Sequence, residues 1–205
     1  DIENGFREAE ASNNFNYYEL NISCPNLLNL QNLKEQLASP TGLQKVLDIL
    51  TGLNLQRPVF IKMPLERSES EIKEMLDVAN DFPFIRGLIF SNLAKDRTNS
   101  VFDPAEIQNA GKGNFSGKPV SEKSNALLRY VYKTYGKRFV LIGVGGVFTA
   151  EDAYEKIRLG ASLIQMITGM VFMGPQQIGI INKELVELFK KDGYKNIKEA
   201  IGTKA

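Results

Sequence analysis

Apolar and polar positions follow two rhythms along the chain. Short runs rich in β-branched and aromatic residues, Tyr17 to Ser23, Val59 to Lys62, Gly87 to Ser91, Phe139 to Gly143 and Leu163 to Ile167, read as strands. Between them, apolar residues return every three or four positions, the period of one helix face. Ser68 and Glu71 form a capping-box pattern ahead of Ile72, Met75, Leu76 and Ala79, so a helix is predicted after the second strand. Further helices are predicted near Pro40 to Thr51, over Glu122 to Tyr135, and from Thr149, whose hydroxyl caps it, to Leu159, where Gly160 ends it. Pro175 suits the first turn of a last long helix. Strict alternation of strand and helix defines an α/β chain with parallel strands joined by right-handed crossovers, either an open doubly wound sheet or a barrel. Leu93 to Ser121 is long for a connection between strand and helix, and long loops in compact domains usually carry function.

Composition narrows the chemistry. The 205 residues, 43% hydrophobic and 24% charged, suit one domain over residues 1–205 with a sizeable core. A net charge of +1 with scattered basic residues lacks the electrostatic footprint of a nucleic-acid binder. With one cysteine, Cys24, and no histidine, an intrachain disulfide is impossible and no metal site is expected. Proton transfer then falls to Cys, Lys, Asp, Glu, Tyr or water. No run approaches the roughly 20 apolar residues that span a bilayer, and Asp1 to Glu10 lacks the marks of a signal peptide, so a cytoplasmic location is expected. The chain opens without Met on an amphipathic, helix-like stretch and reads as the interior of a longer protein.

Unusual polar residues and glycines gather at the C-terminal ends of the predicted strands, the face where barrels and open α/β sheets place ligands. Asn21, Ser23 and Cys24 end the first strand, Lys62 the second, Ser91 and Asn92 the third, Gly143, Gly145 and Gly146 the fourth, and Thr168 and Gly169 the fifth. Glycines between a strand and a capped helix let backbone N–H groups approach a phosphate, although tight turns alone would also explain them. Lys62 continues the run Val59-Phe60-Ile61 and needs an anionic partner, either a bound cofactor or Glu19, which points inward on the first strand. Cys24 is either an inert thiol or, once deprotonated, a base.

The stretch Asn21-Ile22-Ser23-Cys24-Pro25-Asn26 resembles the signature loop of dihydroorotate dehydrogenases, FMN-dependent (β/α)8 barrels. Ile61-Lys62, Ser91-Asn92 with Asp96-Arg97, Ser116-Gly117-Lys118-Pro119, Ile142 to Gly146 and Phe172-Met173-Gly174-Pro175 follow in that family's order. The resemblance implies the C-terminal part, about five strand–helix units, of a (β/α)8 TIM barrel lacking its first strands. It implies oxidation of dihydroorotate to orotate in pyrimidine biosynthesis, with hydride transfer to FMN. Cys24 would be the catalytic base; Asn21, Asn26, Asn92 and the position of Leu93 would bind substrate. Asn21, Lys62, Ser91, Gly117, Gly145, Gly146, Ile167 and Thr168 would contact the cofactor. The later motifs are most similar to the quinone-linked class 2 branch, which implies a quinone oxidant and, through an N-terminal extension, a peripheral position on the inner face of the cell membrane. Cys24 departs from that branch, which carries serine there, and is typical of class 1. Leu93, Leu27 and Ile167 depart from the usual hydroxyl residue, threonine and tyrosine. Other FMN barrels, of dihydropyrimidine dehydrogenase or dihydrouridine synthase type, and a non-catalytic phosphate-binding half-barrel are the competing readings.

Overall fold

A computed structural model describes residues 2–12, 14–23, 37–98 and 103–205. After an opening helix α1 (Ile2–Ser12), strand β1 (Tyr18–Asn21) leads to α2 (Pro40–Thr51), β2 (Val59–Lys62), α3 (Glu69–Asn80) and β3 (Ile85–Phe90). The short α4 (Pro104–Asn109) and a 3-10 turn (Lys118–Val120) precede α5 (Ser121–Tyr135), β4 (Val140–Val144), α6 (Ala150–Arg158) and β5 (Leu163–Gln165). Helices α7 (Thr168–Met173), α8 (Gln177–Lys191) and α9 (Ile197–Ala200) complete the chain.

Local chemistry sets most of these boundaries. Ser39 accepts a hydrogen bond from the Gly42 amide ahead of Pro40, and Ser68–Glu71 and Thr149–Asp152 form reciprocal capping boxes, so α2, α3 and α6 begin where the sequence predicts. Three expectations are corrected. β5 stops at Gln165, because Ile167 already leads into α7. The last long helix starts at Gln177, after the turn that holds Pro175. The stretch from Leu93 to Ser121 carries α4 and the 3-10 turn, both with proline in their first positions.

Among the described residues, five strands, all parallel, stand side by side in chain order, β1-β2-β3-β4-β5. A doubly wound sheet reverses strand order part-way; a barrel wall does not, so the order resolves the choice in favour of a barrel arc. Tyr18, Leu20, Val59, Ile61, Leu88, Phe90 and Leu141 face outward and share the main core with α2, α3 and α5. The register sets Glu19, Phe60, Gly87 and Val140 in one inward row and Asn21, Lys62, Ile89, Ile142 and Leu163 in the next. Phe60, Ile89, Ile142 and Val144 form a small inner cluster. The curvature is strong enough that Gln165 on β5 donates to Glu19 on β1, at the opposite end of the sheet, over 3.0 Å. Among the described residues, no helix is long and apolar enough to cross a membrane.

Candidate functional site

A cleft of about 590 Å³, open at its mouth, lies across the C-terminal ends of the strands. Lys62 contributes from β2, Ser91, Asn92 and Leu93 follow β3, Gly145 and Gly146 follow β4, and Ile167 and Thr168 follow β5. Ser116 and Gly117, from the long connection, close one side, and Thr168 Oγ1 lies 2.9 Å from Ser116 Oγ. Ten residues singled out from the sequence thus line one cavity: Lys62, Ser91, Asn92, Leu93, Gly117, Gly145, Gly146, Ile167, Thr168 and Gly169.

Two features suit this cleft to a polar ligand. Ser91 is only 4% exposed, yet its hydroxyl has no hydrogen-bond partner among the described residues, an arrangement that costs roughly 1–3 kcal/mol unless a ligand or water satisfies it. Gly145 and Gly146 have φ of +99° and +75°, in the left-handed region, and Cβ atoms there would lie 2.7 Å from Val120 Cγ2 and 2.5 Å from Ser121 Cβ. Only bare backbone fits between α5 and the cleft, as a phosphate cradle requires.

Asn21 is brought to the rim. Asn92 Nδ2 donates to Asn21 Oδ1 (3.1 Å) and Ser23 Oγ (2.8 Å), and its own carbonyl accepts the Leu93 amide at 2.9 Å. This network ties the end of β1 to the end of β3 across β2. Of the two partners the sequence offers Lys62, the structure shows Glu19: its ammonium pairs with that carboxylate at 3.0 Å, and its side chain also lines the cleft. An ammonium has three donors, so the ion pair leaves it able to face a second anion. Cys24 and Asn26 lie outside the described residues, as does Leu27.

Gly143 is not part of the lining. A Cβ there would meet Lys156 Cδ at 3.0 Å and Ala161 Cβ at 3.3 Å, so this glycine clears space behind the sheet for the Lys156 side chain of α6 and for Ala161. Sequence reading also passed over Lys156 and Ser124, both buried beneath the glycine loop. Lys156 sits three residues from Ala153 on the helix, and this spacing was the available signal. Among the described residues, no group of three or more His, Cys, Asp or Glu side chains is placed to hold a metal ion.

The long connection is anchored at both ends. Arg97 donates to the carbonyls of Ile107, Gly111 and Gly113, and Ala94 bridges Phe115. At its far end Lys118 grips Asp152 at 2.6 and 2.7 Å, while Asp152 also accepts the amides of Phe148 and Thr149. Burial pushes the Asp152 carboxyl up, but the Lys118 ammonium and the two amides outweigh it and hold it below 3.8. A depressed carboxylate stabilises the fold fully above its unfolded value and loses that contribution as pH falls through the folded one. Asp152→Asn is therefore expected to lower Tm by a few degrees at pH 7 and to flatten the acid limb below pH ~4. An acid titration of Tm with an unchanged limb would remove Asp152 from this role.

A curved wall of parallel strands, with outer helices and a phosphate-suited cleft across the C-terminal strand ends, defines a (β/α)-barrel protein with a ligand site in the position usual for that class. The chain belongs to the dihydroorotate dehydrogenase family, whose family model matches residues 1–189. It is 37% identical over 187 residues to a dihydroorotate dehydrogenase (quinone) of Myxococcus xanthus, covering 91% of this chain and 50% of the relative. It is 33% identical over 183 residues to the dihydroorotate dehydrogenase (quinone) of Nocardia farcinica, covering 89% and 49%. The crystal structure of a ligand-free DHODH from Eimeria tenella superposes with a TM-score of 0.84 at 25% identity, over all of this chain and 59% of that one. The chain thus spans about half the length of the curated relatives it matches.

Proposed function

We propose that the protein of which this chain forms part oxidises dihydroorotate to orotate, with FMN in the cleft and a quinone as the final oxidant. The observation that carries this reading is the cleft itself, where a buried, unpartnered Ser91 hydroxyl, the Lys62 ammonium and the Gly145-Gly146 backbone converge from three strand ends. The matched relatives named as quinone enzymes support the choice of oxidant.

The residues fit an FMN. Gly145, Gly146 and Thr168 would hold its phosphate through bare backbone and a hydroxyl, Ser91 and Gly117 the middle of the molecule, and Lys62 and Asn21 the ring. When bound, FMN supplies the two-electron acceptor for the hydride leaving C6 of the substrate. Asn21, Asn92 and Asn26 would orient dihydroorotate, because amides both donate and accept, as its ring N–H and C=O groups require. Leu93 would close the substrate side. Cys24 takes the proton from C5; a thiol near pKa ~8.5 needs only modest help to ionise, which suits a chain without histidine. Lys62 would place its ammonium beside the ring, its direction set by the ion pair with Glu19, which Gln165 holds in turn.

The test is anaerobic stopped-flow absorbance of the full-length, FMN-loaded protein mixed with dihydroorotate. Rapid bleaching of the flavin band is expected, with the spectrum restored by a quinone analogue. A bound flavin that dihydroorotate leaves oxidised would overturn the substrate, and bleaching that only NAD or fumarate reverses would overturn the oxidant.

A further inference from the structure

Behind the glycine loop, on the side away from the cleft, lies an amine that the proposed chemistry does not use. Lys156 is 1% exposed and has no carboxylate within salt-bridge distance among the described residues. Its Nζ donates to Ser124 Oγ at 3.0 Å and to Asn125 Oδ1 at 2.7 Å. Asp152, one turn earlier on α6, is engaged by Lys118. Burying an ammonium among neutral partners is unfavourable, and a neutral side chain would tie α6 to α5 without that cost. Burial indeed pulls the Lys156 amine down to about 8, against the attraction of Asp152 and with the repulsion of Lys118.

The hydrogen-bond chain gives the charge a direction. Ser124 Oγ, receiving from Lys156, donates to the Val144 carbonyl at 2.7 Å, closer than to the Phe90 carbonyl at 3.2 Å. The Val144–Gly145 peptide is trans, so its N–H points opposite to that carbonyl, away from Ser124. A cation donating through a hydroxyl into the carbonyl polarises the whole peptide and strengthens its N–H as a donor. Gly143 leaves room for the Lys156 stem to reach this position.

We infer that Lys156 is a positioning residue for the phosphate end of the ligand: through Ser124 it polarises the Val144–Gly145 peptide and favours a dianion in the glycine cradle. This rests on the cleft being a flavin mononucleotide site, and the test separates the two claims. Riboflavin shares every part of FMN except the phosphate, so the ratio of their affinities reports on the phosphate alone.

In the full-length protein, Lys156→Met keeps the stem and removes the charge. It is expected to weaken FMN on the order of tenfold, with riboflavin affinity and apoprotein Tm nearly unchanged. Equal losses for both flavins, or none, would overturn the inference and leave Lys156 a structural staple. Should Lys156→Met not fold, the wild-type protein decides. Phosphate stays dianionic above pH ~7, so the FMN-to-riboflavin ratio should fall as pH rises through about 8 and the buried amine loses its proton. A flat ratio from pH 7 to about 9.5 would overturn the inference equally. If wild type binds no flavin, the functional reading fails. Inorganic phosphate then decides the role of Lys156, and its affinity must still drop in Lys156→Met.

Discussion

Gly146→Ala is expected to cut FMN affinity by roughly a hundredfold and to cost on the order of 2–4 kcal/mol of stability. Two causes add. At φ +75° an alanine occupies the left-handed region, which costs roughly 1–2 kcal/mol for a residue with a Cβ. Its Cβ would also lie 2.5 Å from Ser121 Cβ and 3.1 Å from Ser121 Cα, and a helix start cannot swing aside as a flexible side chain would. The loop must then move toward the cleft, into the space proposed for the phosphate. Fluorescence titration with FMN and riboflavin, alongside thermal unfolding of the apoprotein, separates the effects. The FMN loss should exceed the riboflavin loss, because the displaced backbone is the part proposed to hold the phosphate. Unchanged FMN affinity would mean that the ligand is not seated on this loop.

The second large effect is kinetic. Cys24→Ala is expected to slow flavin reduction by dihydroorotate by ~10²- to 10⁴-fold, the usual contribution of a positioned general base, with flavin affinity unaltered. Cys24→Ser should fall between the two and recover in part as pH rises, since a hydroxyl is a far poorer acid than a thiol near pKa ~8.5. Cys24 itself lies outside the described residues, but the chain leading to it is held: Ser23 Oγ accepts from Asn92 Nδ2 at 2.8 Å and lies 3.4 Å from the Lys62 carbonyl. Anaerobic stopped-flow of the three proteins across pH 6 to 9 decides it. A Cys24→Ala rate equal to wild type would remove Cys24 from the chemistry.

Much of this was legible in the sequence because it is local. Capping boxes at Ser68 and Thr149, the proline at the start of α2, and the three-to-four spacing of Ile72, Met75, Leu76 and Ala79 act within one turn of helix, so the residues themselves specify the element. The placement of glycines and polar residues at strand ends was equally readable, since alternation of strand and helix makes the sheet parallel and puts every strand's C-terminal end on one side. Where local signals compete, sequence reading slipped by a few residues. Ile167 continues the apolar run of β5, but the chain turns into α7 there, and Gly143, one of a run of glycines in the sequence, lies within β4 and serves helix packing behind it.

Only the tertiary structure decided what depends on curvature and depth. The sequence left Lys62 a choice of partners; the bending of the sheet put Glu19 between Lys62 and Gln165, the latter 146 positions away along the chain. Burial of Lys156 and isolation of the Ser91 hydroxyl are likewise properties of distance from water, which no pattern of neighbours in sequence records. Hydrophobic period fixes which face of an element is buried, whereas which polar groups end up together inside is set by how the elements bend around one another.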